Sequence, residues 1–297
     1  MSESGASDGG IPLIEPLSPS PSPSSTSTKR KRDTQAQPAE SKRAAKRQRT
    51  KKPKDIDDDE LNTAAGVNTA VAHMDSRLLA DHVAQRTKRF EPELSLVELE
   101  DRYIPERAIL DTSSWKRQRD LENLPDFLEY SAGSKKKASK LNKAAEEKGS
   151  PHTIVVAGAG LRAADLTRAL RKFQTKDAMV AKLFAKHIKL HEATEFCKNT
   201  RQVFRVPQRS SQLANTPCRR MSIGIGTPQR LIDLLNNGSL STAHLERIVI
   251  DASHIDRKKR GVLDMKDTQV PLVQLLTRDV LKGRYGASEK KIDLVFY

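Results

Sequence analysis

From Thr153 onward the chain repeats one local design, and that design narrows the fold more than any other feature. A short apolar run is followed by a turn marked by glycine or proline, and then by an amphipathic helix. Thr153–Val156 reads as a strand, Gly158-Ala159-Gly160 as the turn and Leu161–Phe173 as the helix. Ser222–Gly226 reads as a second strand. Thr227-Pro228 turns it into a helix whose apolar face is Leu231, Ile232, Leu234 and Leu235. Leu245–Asp251 is a third strand ending in an aspartate, Val270–Leu281 a helix and Ile292–Tyr297 a last strand. Val180–Phe196 reads as a basic helix with an apolar stripe at Val180, Leu183, Phe184, Ile188 and Phe196. Strands joined through helices run parallel, and their functional loops gather at the carboxyl ends. The expected class is therefore α/β with a mainly parallel sheet.

The turn at Thr227 has a chemical consequence. Thr227 suits an N-cap and Pro228 the first helical position, where a missing N–H costs nothing. The free N–H groups of such a helix start, with its dipole, favour an anion above the sheet. Arg230, on the first turn, adds a planar cation able to fork onto a phosphate.

Charge points the same way. The 297 residues carry a net +15. The strip 29–54 holds 12 Lys/Arg against 2 Asp/Glu, and residues 150–297 hold 26 against 13. A folded segment with twice as many cations as anions suits a polyanionic partner. The Ser/Pro-rich opening and this strip contain too little apolar surface to offset ordering entropy, so residues 1–72 are expected to be a disordered tail. Within it, Lys29, Arg30, Lys31 and Arg32, then Lys42, Arg43, Lys46, Arg47, Arg49, Lys51 and Lys52, resemble a bipartite nuclear import signal, which implies an import receptor as partner. Cys197 and Cys218, 21 residues apart, form no CxxC pair, which fits a reducing compartment. No 18-residue apolar run occurs, so no membrane partner is expected.

Residues 73–149 read as a helical extension and Lys-rich linker. Met74–Phe90 is a helix with Leu78, Leu79, His82 and Val83 on one face. A shorter helix is opened by Ser95 with Glu98 three residues on. Trp115, the sole tryptophan, reads as a docking anchor, and Leu124–Tyr130 carries further apolar anchors.

Catalytic signatures are lacking. No GxxxxGK[ST] phosphate loop is present, and Gly158-Ala159-Gly160 lacks the third glycine and later acid of a dinucleotide turn. His187 and His191 have i, i+4 spacing without the glutamate of HExxH or a third ligand, so no metal or cofactor is expected.

Three segments in order then resemble DEAD-box RNA helicases. Ile225–Leu235, IGTPQRLIDLL, resembles their GTPGRLxDLL segment, where the turn and helix start hold the RNA backbone. Ile248–Asp256, IVIDASHID, resembles the strand-ending VLDEADRML segment, and Ala157–Leu166, AGAGLRAADL, stands where APTRELAxQI would be. The resemblance implies a single RecA-like (P-loop NTPase-like) domain over 150–297. It places Asp251 where a magnesium ligand would lie, Ala252 at the catalytic carboxylate and His254 at the final acid. Alanine cannot orient an attacking water, so the implied domain is non-catalytic. Gly160, Arg162, Thr227, Pro228, Gln229 and Arg230 are the implied RNA contacts, with Gln229 replacing the family glycine. Arg257–Arg260 is either an added RNA contact or a solvated loop.

Longer phrases, LRAADLTRALRKF, VAKLFAKHIKL and IVIDASHIDRKKRGVLDM, resemble the Cms-type proteins, helicase-derived subunits of the U3-containing early small-subunit pre-ribosome. That resemblance implies a nuclear, nucleolar assembly factor. Its partners would be pre-ribosomal RNA or U3 snoRNA, together with other small-subunit assembly factors. A protein scaffold without RNA contact and a partner-completed NTPase are the alternatives.

Overall fold

The computed structural model of the protein describes residues 61–145, 147–184, 193–195, 197 and 220–297. The import strip, His187, His191 and Cys218 lie outside them. Described structure begins with a hairpin of β1 (Leu61–Asn62) and β2 (Val67–Asn68), turned at Gly66 with φ 65°. Helices α1 (Ala70–His73), α2 (Ser76–Phe90), α3 (Leu96–Asp101), α4 (Leu124–Ser131) and α5 (Lys135–Ala138) follow. The α/β part comprises β3 (Thr153–Val156), α6 (Gly160–Ala169), β4 (Ala178–Lys182), β5 (Arg220–Gly226), α7 (Pro228–Asn236), β6 (Arg247–Ile250), α8 (Lys266–Leu276), α9 (Asp279–Lys282) and β7 (Asp293–Phe296).

The five main strands form one parallel sheet in the order β4-β5-β3-β6-β7. Its period of two is written in the register. Ile154 pairs with Ile248, which pairs with Leu294, and all three belong to one core; Val155, Val249 and Val295 belong to the other. Helices α2, α7 and α8 cover the first face, with α4 and α6 on the second. Both faces are buried, which explains why these strands read as continuous apolar runs. Two glycines in β5 permit the close packing. A Cβ on Gly224 would stand 2.8 Å from Leu183 Cδ1, and one on Gly226 would stand 2.9 Å from Leu231 Cδ2.

Three expectations need correction. Residues 178–182 form a strand, not the start of a helix, while Ala193–Glu195 and Cys197 are helical and Ile188 and Phe196 lie outside the described residues. Val180, Leu183 and Phe184 match helical spacing by coincidence, and the first two pack around β5 from an edge strand. Leu78 is 55 % exposed; the buried face of α2 is Leu79, Ala80, Val83, Arg86 and Thr87, turned toward α8, where Gln269 Nε2 donates to Thr87 Oγ1 at 2.8 Å. Finally, the tail does not extend to residue 72. The β1–β2 hairpin sits on the loop after β6, where Val67 bridges His254 and the Asn68 N–H donates to Ser253 O at 2.6 Å.

Other expectations hold. Ser95 and Glu98 form a reciprocal capping box at α3. Trp115 docks against Phe127 and Tyr130, with ring centroids 5.5 and 5.2 Å away. The chain just before Trp115 also extends the sheet. Ile109 makes a parallel bridge to Leu294, and the Leu110 N–H donates to Leu294 O at 2.8 Å.

Candidate nucleic-acid interface

The connections leaving β3 and β6 run to opposite sides of the sheet, so the carboxyl ends of these neighbouring strands form its switch point. In open parallel sheets that crevice is where ligands bind. Here side chains of the protein itself occupy it. Arg162, on the first turn of α6, reaches back to Asp251 at the end of β6. Its Nε donates to Oδ2 at 2.7 Å and its second nitrogen to Oδ1 at 3.0 Å. The side chains are 10 % and 2 % exposed, so this is a bidentate pair largely removed from water.

The loop after Asp251 is folded inward around the pair. The Ala252 and Ser253 N–H groups both donate to Tyr297 O at 2.7 Å, and the Asp251 N–H donates to Val156 O at 3.0 Å. His254 is half-buried beside Gly66. Burial pushes its pKa below the ordinary histidine value, and the nearby Arg162 cation pushes the same way, against Asp251 and the Gly66 backbone. Ala252 is 4 % exposed and brings no titratable group. Among the described residues no group of three or more His, Cys, Asp or Glu is placed to hold a metal ion.

Beside the closed crevice, on the adjoining strands β3 and β5, the edge carries two helix starts. The two strands stay paired to their ends, Val156 opposite Gly226, and the Ala157 N–H donates to Gly226 O at 2.9 Å. Helix α6 leaves on one face and α7 on the other, so both N-termini rise from one stretch of edge. Neither is capped by a side chain: Ala159 has no acceptor, and the Thr227 hydroxyl accepts no bond from α7. Neither has an acid in its first turn. Neither helix end thus has its partial positive charge met by a cap or by an acid of its own first turn, although at α6 the Asp251 carboxylate lies against Arg162.

The residues singled out from the sequence sort into two groups. Gly160, Thr227, Pro228 and Gln229 lie at these helix starts; Gln229 is exposed, and its Nε2 donates to Asp233 Oδ1 at 3.0 Å. Arg162 does not reach outward beside Gly160, since Asp251 holds it in the crevice. Arg230 is only 9 % exposed, so the edge presents the start of α7 chiefly through Thr227 and Gln229 rather than through an extended arginine. The Arg257–Arg260 cluster is exposed on a turn organised by Asp256, which accepts from the Lys258 and Arg260 N–H groups at 2.7 and 2.9 Å.

One residue carried no signal in the sequence. Arg119 is 1 % exposed. Its guanidinium donates to Phe296 O at 2.5 Å, to Thr112 O and Oγ1 at 3.1 and 3.0 Å, and to Ala72 O at 3.3 Å. Burial lowers its pKa to about 10, so it remains a cation.

Fold and site together define a parallel α/β domain with a self-neutralised switch point and two uncapped helix starts on its ligand edge. Comparison with known proteins then gives the family. Residues 24–218 and 211–297 match the family model CMS1, described as a U3-containing 90S pre-ribosomal complex subunit. Protein CMS1 of Chaetomium thermophilum is 51 % identical over 252 residues, covering 85 % of this chain and 92 % of the relative. Protein cms1 of Schizosaccharomyces pombe is 27 % identical over 219 residues, 74 % of this chain and 69 % of the relative. Human Protein CMSS1 is 29 % identical over 142 residues, 48 % of this chain and 44 % of the relative. The chain belongs to this family of 90S pre-ribosomal complex subunits, and with it to ribosome biogenesis.

Proposed function

We propose that the protein is a non-catalytic, RecA-like RNA-binding subunit of the early small-subunit pre-ribosome, working in the nucleolus. The observation that carries this reading is the pairing of a closed crevice with an open edge. The one carboxylate that resembles a magnesium ligand, Asp251, is spent on Arg162, and Ala252 stands where a water-activating carboxylate would be. The two uncapped helix starts at Gly160 and Thr227 offer backbone N–H groups to successive phosphates of one strand. Leu161, 64 % exposed beside Gly160, adds an apolar contact at the same edge. Basic residues of the N-terminal strip supply nuclear import and salt-sensitive affinity, and pre-ribosomal RNA or U3 snoRNA is the RNA partner.

A scaffold role is favoured by a separate feature. Helix α3 buries none of its residues, and Leu96 and Val97 are 82 % and 71 % exposed, which suits contact with another assembly factor.

Fluorescence anisotropy with a structured RNA tests the main reading. Gln229→Glu places a negative charge on the first turn of α7 at an exposed position, and roughly fivefold weaker binding is expected from the helix-end electrostatics. Unchanged affinity in this variant, or magnesium-dependent phosphate release from ATP that disappears in Asp251→Ala, would overturn the reading.

A further inference from the structure

Helix α3 carries a surface that RNA contact does not explain. The helix is fixed at both ends. The Ser95–Glu98 capping box holds its start, and at its end Lys282 Nζ, on α9, donates to Asp101 O at 2.6 Å. It also lies against α2. Leu99 and Arg102 are half-buried, whereas Leu96 and Val97 stand in solvent. Neither propensity nor packing accounts for that pair. A valine loses rotamer freedom in a helix, and outward apolar side chains leave their surface in water.

The charge around the pair is opposite to that of the chain. Residues 91–101 hold five carboxylates and no Lys or Arg, in a protein of net +15. Glu100 and Asp101 follow Leu96 and Val97 by four residues, so they share their face one turn on, and both are exposed. Glu93 and Glu98 are exposed as well. Of the cations at this helix, Lys282 is held by the Asp101 carbonyl and Arg102 is half-buried. The outer face is therefore both apolar and acidic.

That combination selects the occupant. A phosphate strand or an anionic membrane is repelled by the carboxylates. The basic strip 29–54 of this chain would match the charge with its 12 Lys/Arg, but it contains no Val, Leu, Ile, Met or aromatic residue to cover Leu96 and Val97. A Lys- or Arg-rich segment of another protein, carrying large apolar side chains, satisfies both requirements. We propose that the outer face of α3 docks such a basic, amphipathic segment of a neighbouring protein in the pre-ribosomal complex. Its apolar side chains cover Leu96 and Val97, and its cations meet Glu100 and Asp101. The inference rests on the scaffold reading of α3 and is independent of the RNA edge.

The test puts the photo-crosslinking residue p-benzoylphenylalanine in place of Leu96 in the whole chain, in living cells. Irradiated pre-ribosomal particles are purified under denaturing conditions, and the crosslinked peptides are sequenced by mass spectrometry. The expected product is a peptide of another protein with more Lys/Arg than Asp/Glu and at least one large apolar residue. Glu100→Lys/Asp101→Lys reverses two exposed charges and suits the carboxyl end of a helix, so the fold is kept; the yield of that product falls roughly tenfold. Val97→Ser lowers the yield too, while RNA affinity by anisotropy is unchanged, which separates this face from the helix starts. A product with an acidic or neutral protein segment keeps α3 as a scaffold surface but overturns the basic partner. RNA, residues 29–54 or a second copy of this chain as the product, or a yield indifferent to Glu100→Lys/Asp101→Lys, also overturns the proposal. No product at all removes the scaffold reading with it.

Discussion

Replacing Asp251 by Asn keeps the shape of the side chain and removes its charge, which makes it a sensitive probe of the closed crevice. In the native protein Asp251 receives two guanidinium donors at 2.7 and 3.0 Å, with both side chains nearly out of water. The asparagine amide accepts at one oxygen, while its NH₂ group opposes the second guanidinium N–H. A buried cation then lacks its counter-charge. Breaking a buried pair from one side costs about 3–5 kcal/mol, and the lower figure fits because Arg162 keeps 10 % exposure. About 3 kcal/mol is expected, or a melting temperature lower by roughly 6–12 °C for a domain of this size. Urea denaturation followed by circular dichroism measures it. The partner substitution Arg162→Met removes the cation, so the double variant Arg162→Met/Asp251→Asn should be more stable than the sum of the single losses, by at least about 1 kcal/mol. A loss below about 1 kcal/mol for Asp251→Asn, or strict additivity in the cycle, would refute the claim that the pair closes the crevice.

Three further outcomes follow from packing and titration. Phe127 is fully buried, touching Trp115 and Tyr297 with centroids 5.5 and 4.6 Å away; Phe127→Ala should cost about 3–5 kcal/mol in urea and shift the Trp115 emission. Gly224→Ala drives a methyl to 2.8 Å from Leu183, and a loss of about 1–3 kcal/mol is expected, with partial recovery in Gly224→Ala/Leu183→Val. His152 is held down to about 4 by burial and by Arg247. Neutral in the fold and titrating near 6.5 when unfolded, it contributes stability that is full above 6.5 and lost as the pH falls toward 4. The loss is about 3 kcal/mol at most. His152→Gln should flatten the stability profile in that window, and an unchanged slope would remove His152 as its cause.

Much of the sheet was legible because burial on both faces leaves unbroken apolar runs, as in Ile154–Val156 and Ile248–Ile250. The strand at Ala178–Lys182 was not, because a five-residue edge strand gives too short a window for its period to stand out beside the helical spacing of the residues that follow. The hairpin at Leu61–Asn68 had only Gly66 to mark it. Side-chain partnerships were the least visible. Arg162 and Asp251 stand 89 residues apart and meet only because β3 and β6 are neighbours, a fact of sheet order rather than of local pattern. Arg119 belongs to a charged run, Lys116 to Asp120, that reads as solvated. Its burial shows in bonds to Phe296 O on β7, to Thr112 and to Ala72 O, partners that the sequence does not bring together. Gln229, where the resembled helicase segment has glycine, was readable as a departure from that segment, yet its setting on an exposed helix start required the fold.

The proposed function requires RNA to touch the sheet edge at the two helix starts. Ultraviolet crosslinking of the 297-residue chain to a structured RNA, followed by mass spectrometry of the crosslinked peptides, reads this directly. The predicted result is crosslinks within 157–162 and 227–230, the two helix starts. Crosslinks confined to the basic strip at 29–54, with none on the sheet edge, would contradict it.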